Sequence, residues 1–286
     1  MFKLIYKKSG ESSFKSISNF ARENNIKKIG HTGTLDPMAR GLLLVATDND
    51  TKLIPYITNT NKTYIAEAIF NIETNTYDSE GEIINTYEKI ITLEMIEDII
   101  PSFTGKIKQI PPIFSAKKIN GKRAYDLARE NKEVTLKSVD VEIYYINIIS
   151  FSNNKLVFEV SVSSGTYIRS LIHDFGKVLH SGAHMSSLER TMIHGISKEN
   201  INDQVDLKQL INLPFLEVPN ATLKNLFNGL KTIIEKEDNQ YALFFENDII
   251  GIIKISCFEV VERKLFGNKI EGLVDKKNTL FGTGDL

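Results

Sequence analysis

Gly30-His31-Thr32-Gly33-Thr34-Leu35-Asp36-Pro37-Met38-Ala39-Arg40-Gly41 runs straight into Leu42-Leu43-Leu44-Val45-Ala46-Thr47. The second half is a short run of strand length, apolar from Leu42 to Ala46, which marks it as core. The first half is a loop with glycines that permit backbone angles closed to other residues, while Pro37 disfavours the α region at Asp36. A carboxylate on a shaped loop that feeds a buried strand is where a nucleophile or general base would be mounted. The same Asp-Pro pair also fits a helix start, with Asp36 as N-cap and Pro37 in the first turn. Local pattern alone leaves both readings open.

Working outward, the hydrophobic period alternates between helix and strand without a regular βαβ rhythm. Phe14, Ile17, Phe20 and Ala21 fall at helical spacing over residues 13–24, with Ser12 or Ser13 as N-cap. Residues 62–72 alternate, with Tyr64, Ala66, Ala68 and Phe70 on the better buried face. Residues 141–151 and 155–163 predict two strands joined by a turn at Ser152-Asn153-Asn154. Helical spacing returns from Thr166 to His180. Residues 200–238 read as connecting helices, and the tail as strands with turns at Glu246-Asn247-Asp248 and Gly267-Asn268. This order predicts an α+β domain rather than a doubly wound parallel sheet.

Charge is informative in its placement. The 286 residues carry a net charge of −1, yet residues 1–31 hold +5 and residues 101–132 hold +6, leaving −12 for the rest. Two basic blocks on a neutral chain form a phosphate-tracking surface if the fold brings them to one cleft, and two unrelated solvated faces if it does not. A single cysteine, Cys257, forms no internal disulfide and offers no thiolate cluster, which points to a reducing, cytoplasmic setting. No uncharged apolar run approaches the roughly 18 residues of a membrane span. His173, His180 and His184 are interrupted by Ser181-Gly182 and lack a carboxylate pair, a poor metal set. There is no Gly-x-Ser-x-Gly elbow, dinucleotide fingerprint or P-loop.

GHTGTLDPMARGLL resembles the catalytic loop of the bacterial TruB-type tRNA pseudouridine synthases. Further blocks follow in that family's order: Lys62-Thr63-Tyr64, Thr74 to Gly81, Gln109-Ile110-Pro111-Pro112 with Ser115-Ala116-Lys117, and Gly121 to Tyr125. Ser164-Gly165-Thr166-Tyr167-Ile168-Arg169-Ser170-Leu171 and Leu188-Glu189-Arg190-Thr191 complete the set. The resemblance implies a pseudouridine-synthase fold, with a mixed, largely antiparallel sheet flanked by helices over residues 1–215. A small β-rich, PUA-like RNA-binding unit, divergent or reduced, is expected over 216–286.

It also implies roles. Asp36 matches the aspartate that attacks C6 of uracil or C1′ of the ribose, after which the base detaches, rotates and rejoins through C5. Arg169 matches the active-site arginine, and an adjacent cation would hold the Asp36 carboxyl low. Tyr64 matches a tyrosine that stacks on the flipped base, His31 a histidine that fills the space the base leaves, and Leu188 an apolar wall. Tyr167, Lys7, Lys15, Lys117 and Arg123 are taken as further substrate-binding residues, with Lys27, Lys28, Lys106 and Lys118 as phosphate contacts. The expected substrate is the T arm of tRNA at uridine 55, with no cofactor, no metal, no membrane and no obligate protein partner, so a monomer. The family's N-terminal Asp-Lys-Pro stands here as Tyr6-Lys7-Lys8, which removes two residues that join that strand end to the catalytic loop. Two alternatives remain: a non-catalytic tRNA-binding module on the same scaffold, and a synthase acting on another RNA.

Overall fold

Leu42 to Thr47 are each 4% exposed or less in the computed structural model. A strand loses water on both faces only when something packs on each side. Leu43 and Val45 join Ile17, Tyr64, Phe158, Leu171 and Phe175 in a core beneath the helices. Leu42, Leu44 and Ala46 pack with Phe2, Ala242, Phe244, Ile249 and Ile252 in a second core. The apolar run therefore sits as the middle layer, with helices on one side and the C-terminal sheet on the other.

The structure describes residues 1–57, 61–113, 136–201, 205, 208, 210–245, 248–267 and 269, and the backbone of 118–119, 122–123, 207 and 209. The chain opens with β1 (Phe2–Lys7), α1 (Ser13–Glu23), β2 (Ile29–His31), β3 (Arg40–Thr47), a 3-10 segment (Asp48–Tyr56) and β4 (Lys62–Phe70). Next come β5 (Ile72–Thr74), β6 (Ile83–Thr86), α2 (Leu93–Phe103), β7 (Gly105–Gln109), β8 (Lys118–Ile119) and β9 (Lys122–Arg123). The hairpin β10 (Val139–Ser152) and β11 (Lys155–Val162) is followed by α3 (Ile168–Val178), β12 (Ala183–Ile193) and β13 (Ile196–Ser197). Last are α4 (Leu207–Leu210), β14 (Phe215–Glu217), α5 (Asn220–Phe227), β15 (Asn239–Phe245), β16 (Asp248–Ser256) and β17 (Glu259–Leu265).

The central sheet runs β1-β3-β12-β4-β11-β10-β7, with β2 on β3 and β13 on β12. It is antiparallel apart from β3 and β12, where Arg40 and Gly41 pair in parallel with Glu189 and Arg190. That junction lies directly after the Asp36 loop. The fold is thus α+β, with a mixed, largely antiparallel sheet. A four-stranded sheet, β14-β15-β16-β17, forms the C-terminal unit.

Local chemistry accounts for most boundaries. Ser12 caps α1 by accepting from Lys15 N–H at 3.1 Å. Asn153 and Asn154 take φ of 51° and 59°, the left-handed pair that a two-residue hairpin needs. Two expectations are corrected. Phe14, expected on the buried face of α1, is 75% exposed, because Ser13 and Ser16 take the buried positions beside Ile17. Cys257, read as part of a strand, forms a turn with Phe258 between β16 and β17, both at positive φ. Neither is a habitual turn residue, so composition masked it. Glu246, Asn247 and Asn268, read as turn residues, lie outside the described residues.

Candidate active site

No helix starts at Asp36. The chain turns there instead, with Ala39 N–H donating to Asp36 O at 3.1 Å before β3 begins. Leu35 and Ala39 on either side are buried and root the loop in the core. Its carbonyls are taken up by side chains from three elements. Ser13 Oγ of α1 accepts from Leu35 N–H and donates to Leu35 O, both at 2.9 Å. Arg190 of β12 donates to Gly33 O at 3.2 Å and to Leu42 O at 2.7 Å.

The end of β1 supplies the third set. Lys7 Nζ donates to Pro37 O at 3.0 Å, to Lys8 O at 3.1 Å and to Ala39 O. Ser9 Oγ donates to Met38 O at 2.7 Å, and Gly10 N–H to Pro37 O at 2.9 Å. The strand end therefore still grips the loop although aspartate and proline are absent from it. Lys7, expected among the substrate-binding residues, is fully buried, with its ammonium turned to three carbonyls of the chain itself.

Strand register brings the other groups to the loop. Arg190 lies opposite Tyr64, and Leu188 opposite Ala66, across β12 and β4. Side chains two apart share a face, so Lys62, Tyr64, Leu188 and Arg190 form one wall. Gly165 to Arg169, leading into α3, form the other, and the side-chain amide of Gln109 holds Tyr167 by both its N–H and its carbonyl, at 2.8 and 3.0 Å. The cavity between the walls, lined also by residues 33–36, measures about 260 Å³. That is below the roughly 300–1,000 Å³ of sites for drug-sized ligands, a size for one base. A larger cavity of about 530 Å³ between β1 and α1 holds none of these groups.

Arg169 Nε lies 3.0 Å from Asp36 Oδ2, and Arg169 Nη1 lies 3.1 Å from Asp78 Oδ2 and 3.3 Å from Thr76 O. One guanidinium thus joins two carboxylates. Arg169 pulls the Asp36 carboxyl down, as expected, but does not prevail. Burial pushes the Asp36 carboxyl above its ordinary value and Asp78 adds to the push, outweighing Arg169 and Lys7. The side chain still keeps 37% exposure through the cavity mouth. A base that closes the mouth would strip away that remaining water.

The remaining site expectations divide. His31 stands on β2 beside the loop and outside the cavity lining, with Nδ1 unpartnered and burial pushing its imidazole down. Lys15, Lys27, Lys28, Lys106 and Lys108 are exposed. The two basic blocks occupy opposite ends of the sheet order, α1 and β2 near β1 and β3, and β7 at the far edge, with the cavity on the strands between. Lys117 lies outside the described residues, as do the side chains of Lys118 and Arg123. His173 and His184, weighed as metal ligands, turn to the Tyr77 ring and to Ile72 O. Asp78, Lys62, Gln109 and Arg190 lie within the quoted blocks, but none had been given a role there.

A family model described as "TruB family pseudouridylate synthase (N terminal domain)" matches residues 21–168. The chain is 45% identical to "tRNA pseudouridine synthase B" of Mycoplasma mobile over 98% of this chain and 99% of that one. It is 44% identical to the protein of the same name from Mycoplasmopsis pulmonis, over 97% and 100%. Among solved structures, a Cbf5-Nop10-Gar1 complex matches with a TM-score of 0.65 at 21% identity, covering 93% of this chain and 84% of that one. An archaeal box H/ACA sRNP Nop10-Cbf5 complex matches at 0.62 and 21%, covering 93% and 85%.

Proposed function

The chain belongs to the TruB family of pseudouridylate synthases, and on that premise we propose that it converts uridine 55 in the T arm of tRNA to pseudouridine through Asp36. The relatives' names give tRNA as the substrate class and isomerisation of uridine as the activity. The observation that carries the residue assignment is the Asp36–Arg169–Asp78 chain beside Tyr64 in a cavity sized for one base.

The chemistry follows from these groups. The target base leaves its stack at a cost of a few kcal/mol. Stacking on Tyr64 offsets roughly 1–3 kcal/mol of that. The ionised Asp36 carboxylate bonds to C6 or to C1′, and the N1–C1′ bond breaks. The base rotates, C5 bonds to C1′ and the bond between Asp36 and C6 or C1′ breaks to return the free carboxylate, while the C5 proton leaves to solvent and N1 gains one. Product and substrate are isomers, so the balance needs no oxidant, reductant or donor. Arg169, itself steered by Asp78, keeps the attacking carboxylate aimed, and Leu188 closes the apolar side of the base.

Residues 1–215 form the catalytic part in this reading. The C-terminal unit from 216 helps dock the RNA, together with the exposed lysines of α1 and β7. The test is pseudouridine mapping in an unmodified tRNA transcript. The wild type should modify the T-arm uridine as a monomer without a guide RNA, and Asp36→Asn should bind but form no product. Turnover by Asp36→Asn would refute the assignment, and binding without turnover by the wild type would favour a non-catalytic module.

A further inference from the structure

Lys62 opens β4 two residues before Tyr64, on the same face, and lines the cavity that contains Asp36. The residue is 9% exposed. An ammonium has three donors; Lys62 spends one on Ser164 Oγ at 3.3 Å. Among the described residues no carboxylate pairs with it, and the charge acting on it is another cation, Arg190. Lys7 and Arg190 are buried cations too, but theirs are absorbed by the loop carbonyls they hold. Among the described residues Lys62 holds no carbonyl. Burial, with Arg190 adding to it, pushes its ammonium down to about 8.

A desolvated cation without an anion is costly and is usually removed or paired. Here it stands on the wall of the cavity assigned to one flipped nucleotide of an RNA, a polyanion. We propose that Lys62, with Arg190 beside it, forms a phosphate subsite, its unused ammonium donors taking a non-bridging oxygen of a backbone phosphate that flanks the flipped uridine. The inference rests on the reading of this cavity as a uridine site in RNA. The subsite would anchor the flipped nucleotide at its sugar–phosphate end while Tyr64 and Leu188 hold the base.

The test is a double-perturbation cycle on a T-arm stem-loop RNA. Wild type and Lys62→Met are each given the native RNA and RNAs with one neutral methylphosphonate at successive phosphates around the target. Kd and kcat/KM are both read. At one flanking position the wild type should lose about 10- to 100-fold in kcat/KM, as for a charge-assisted hydrogen bond. Lys62→Met should lose a similar factor on native RNA and nothing further at that position. Losses that multiply at every position would overturn the subsite. Lys62→Met should also melt higher than the wild type, because an uncompensated buried cation is gone; a lower Tm would mark Lys62 as structural and overturn it as well. Absence of product from the wild type would remove the uridine reading itself, and the subsite with it.

Discussion

The ring of Tyr77 lies flat on the imidazole of His173, with centroids 3.7 Å apart and planes 13° from parallel. Tyr77 takes φ of 63° between Thr76, whose carbonyl accepts from Arg169, and Asp78, whose carboxylate pairs with it. His173 lies one turn beyond Arg169 on α3. The stack therefore fastens the loop that carries Asp78 to the helix that carries Arg169.

This contact should make the fold acid-sensitive. Burial pushes His173 down to about 4, with Lys177 adding to the shift and Glu73 opposing it. The unfolded chain takes a proton near pH 6.5 that the folded chain refuses until about pH 4, so this contribution to stability falls as pH drops through that window. The full loss is about 3 kcal/mol. His173→Phe keeps a ring against Tyr77 and removes the proton. Denaturation midpoints at pH 7, 6, 5 and 4.5 should fall less for the variant than for the wild type; parallel declines would contradict the argument.

Asp78→Asn tests the relay from the loop to the attacking group. Arg169 loses an anionic partner, and its aim at Asp36 loosens. Turnover should drop by about 10- to 100-fold, the scale of a small misplacement of a catalytic group. The pH profile gives a second readout. On the proposed mechanism activity requires the ionised Asp36, so it should be present above that group's pKa and lost as pH falls through it. Asp78 helps to raise that pKa, so its removal should shift the acid limb of kcat/KM to lower pH. A limb that stays in place would separate Asp78 from Asp36.

What could be read in advance was local. The β3 run, the β10–β11 hairpin and the Ser12 cap follow from period and turn chemistry confined to a few residues. The Asp36 loop was legible as a motif, but its rigidity was not, since it depends on Ser13, Lys7 and Arg190 arriving from other elements. Asp78 lay in a quoted block, yet its pairing with Arg169 spans 91 residues of chain. The direction of the Asp36 shift is a balance of burial against Arg169, and sequence names both without showing that burial is the larger. Lys7 misled for a related reason: a lysine reads as solvated until three carbonyls close over it.

Lys7→Met makes that burial measurable. The variant fills the same channel but leaves the carbonyls of Pro37, Lys8 and Ala39 without their donor. Each unpaired buried group costs about 1–3 kcal/mol, and Gly10 N–H still serves Pro37 O, so a total near 3 kcal/mol is expected. Because those carbonyls hold the Asp36 turn, kcat should fall more than KM rises. A urea titration and a steady-state assay check both parts. A loss confined to KM would return Lys7 to the substrate surface.

Gly41→Ala probes the junction that sets the cavity. Gly41 has φ of 116°, and a Cβ there would lie 2.4 Å from Arg190 O and 2.5 Å from Arg190 N. Both atoms are backbone of the strand paired with β3, so nothing flexible can yield. The variant must either strain its backbone or part β3 from β12, which would carry Arg190 and Leu188 away from the Asp36 loop. The expected cost is about 3 kcal/mol or more, with activity lost alongside. Gly105→Ala supplies the comparison, since Gly105 has φ of 95° and open space around its missing Cβ. It should cost only the left-handed strain of about 1–2 kcal/mol and leave turnover intact. Equal urea midpoints for the two variants would show that the close approach of Arg190 to Gly41 is not what makes glycine necessary there.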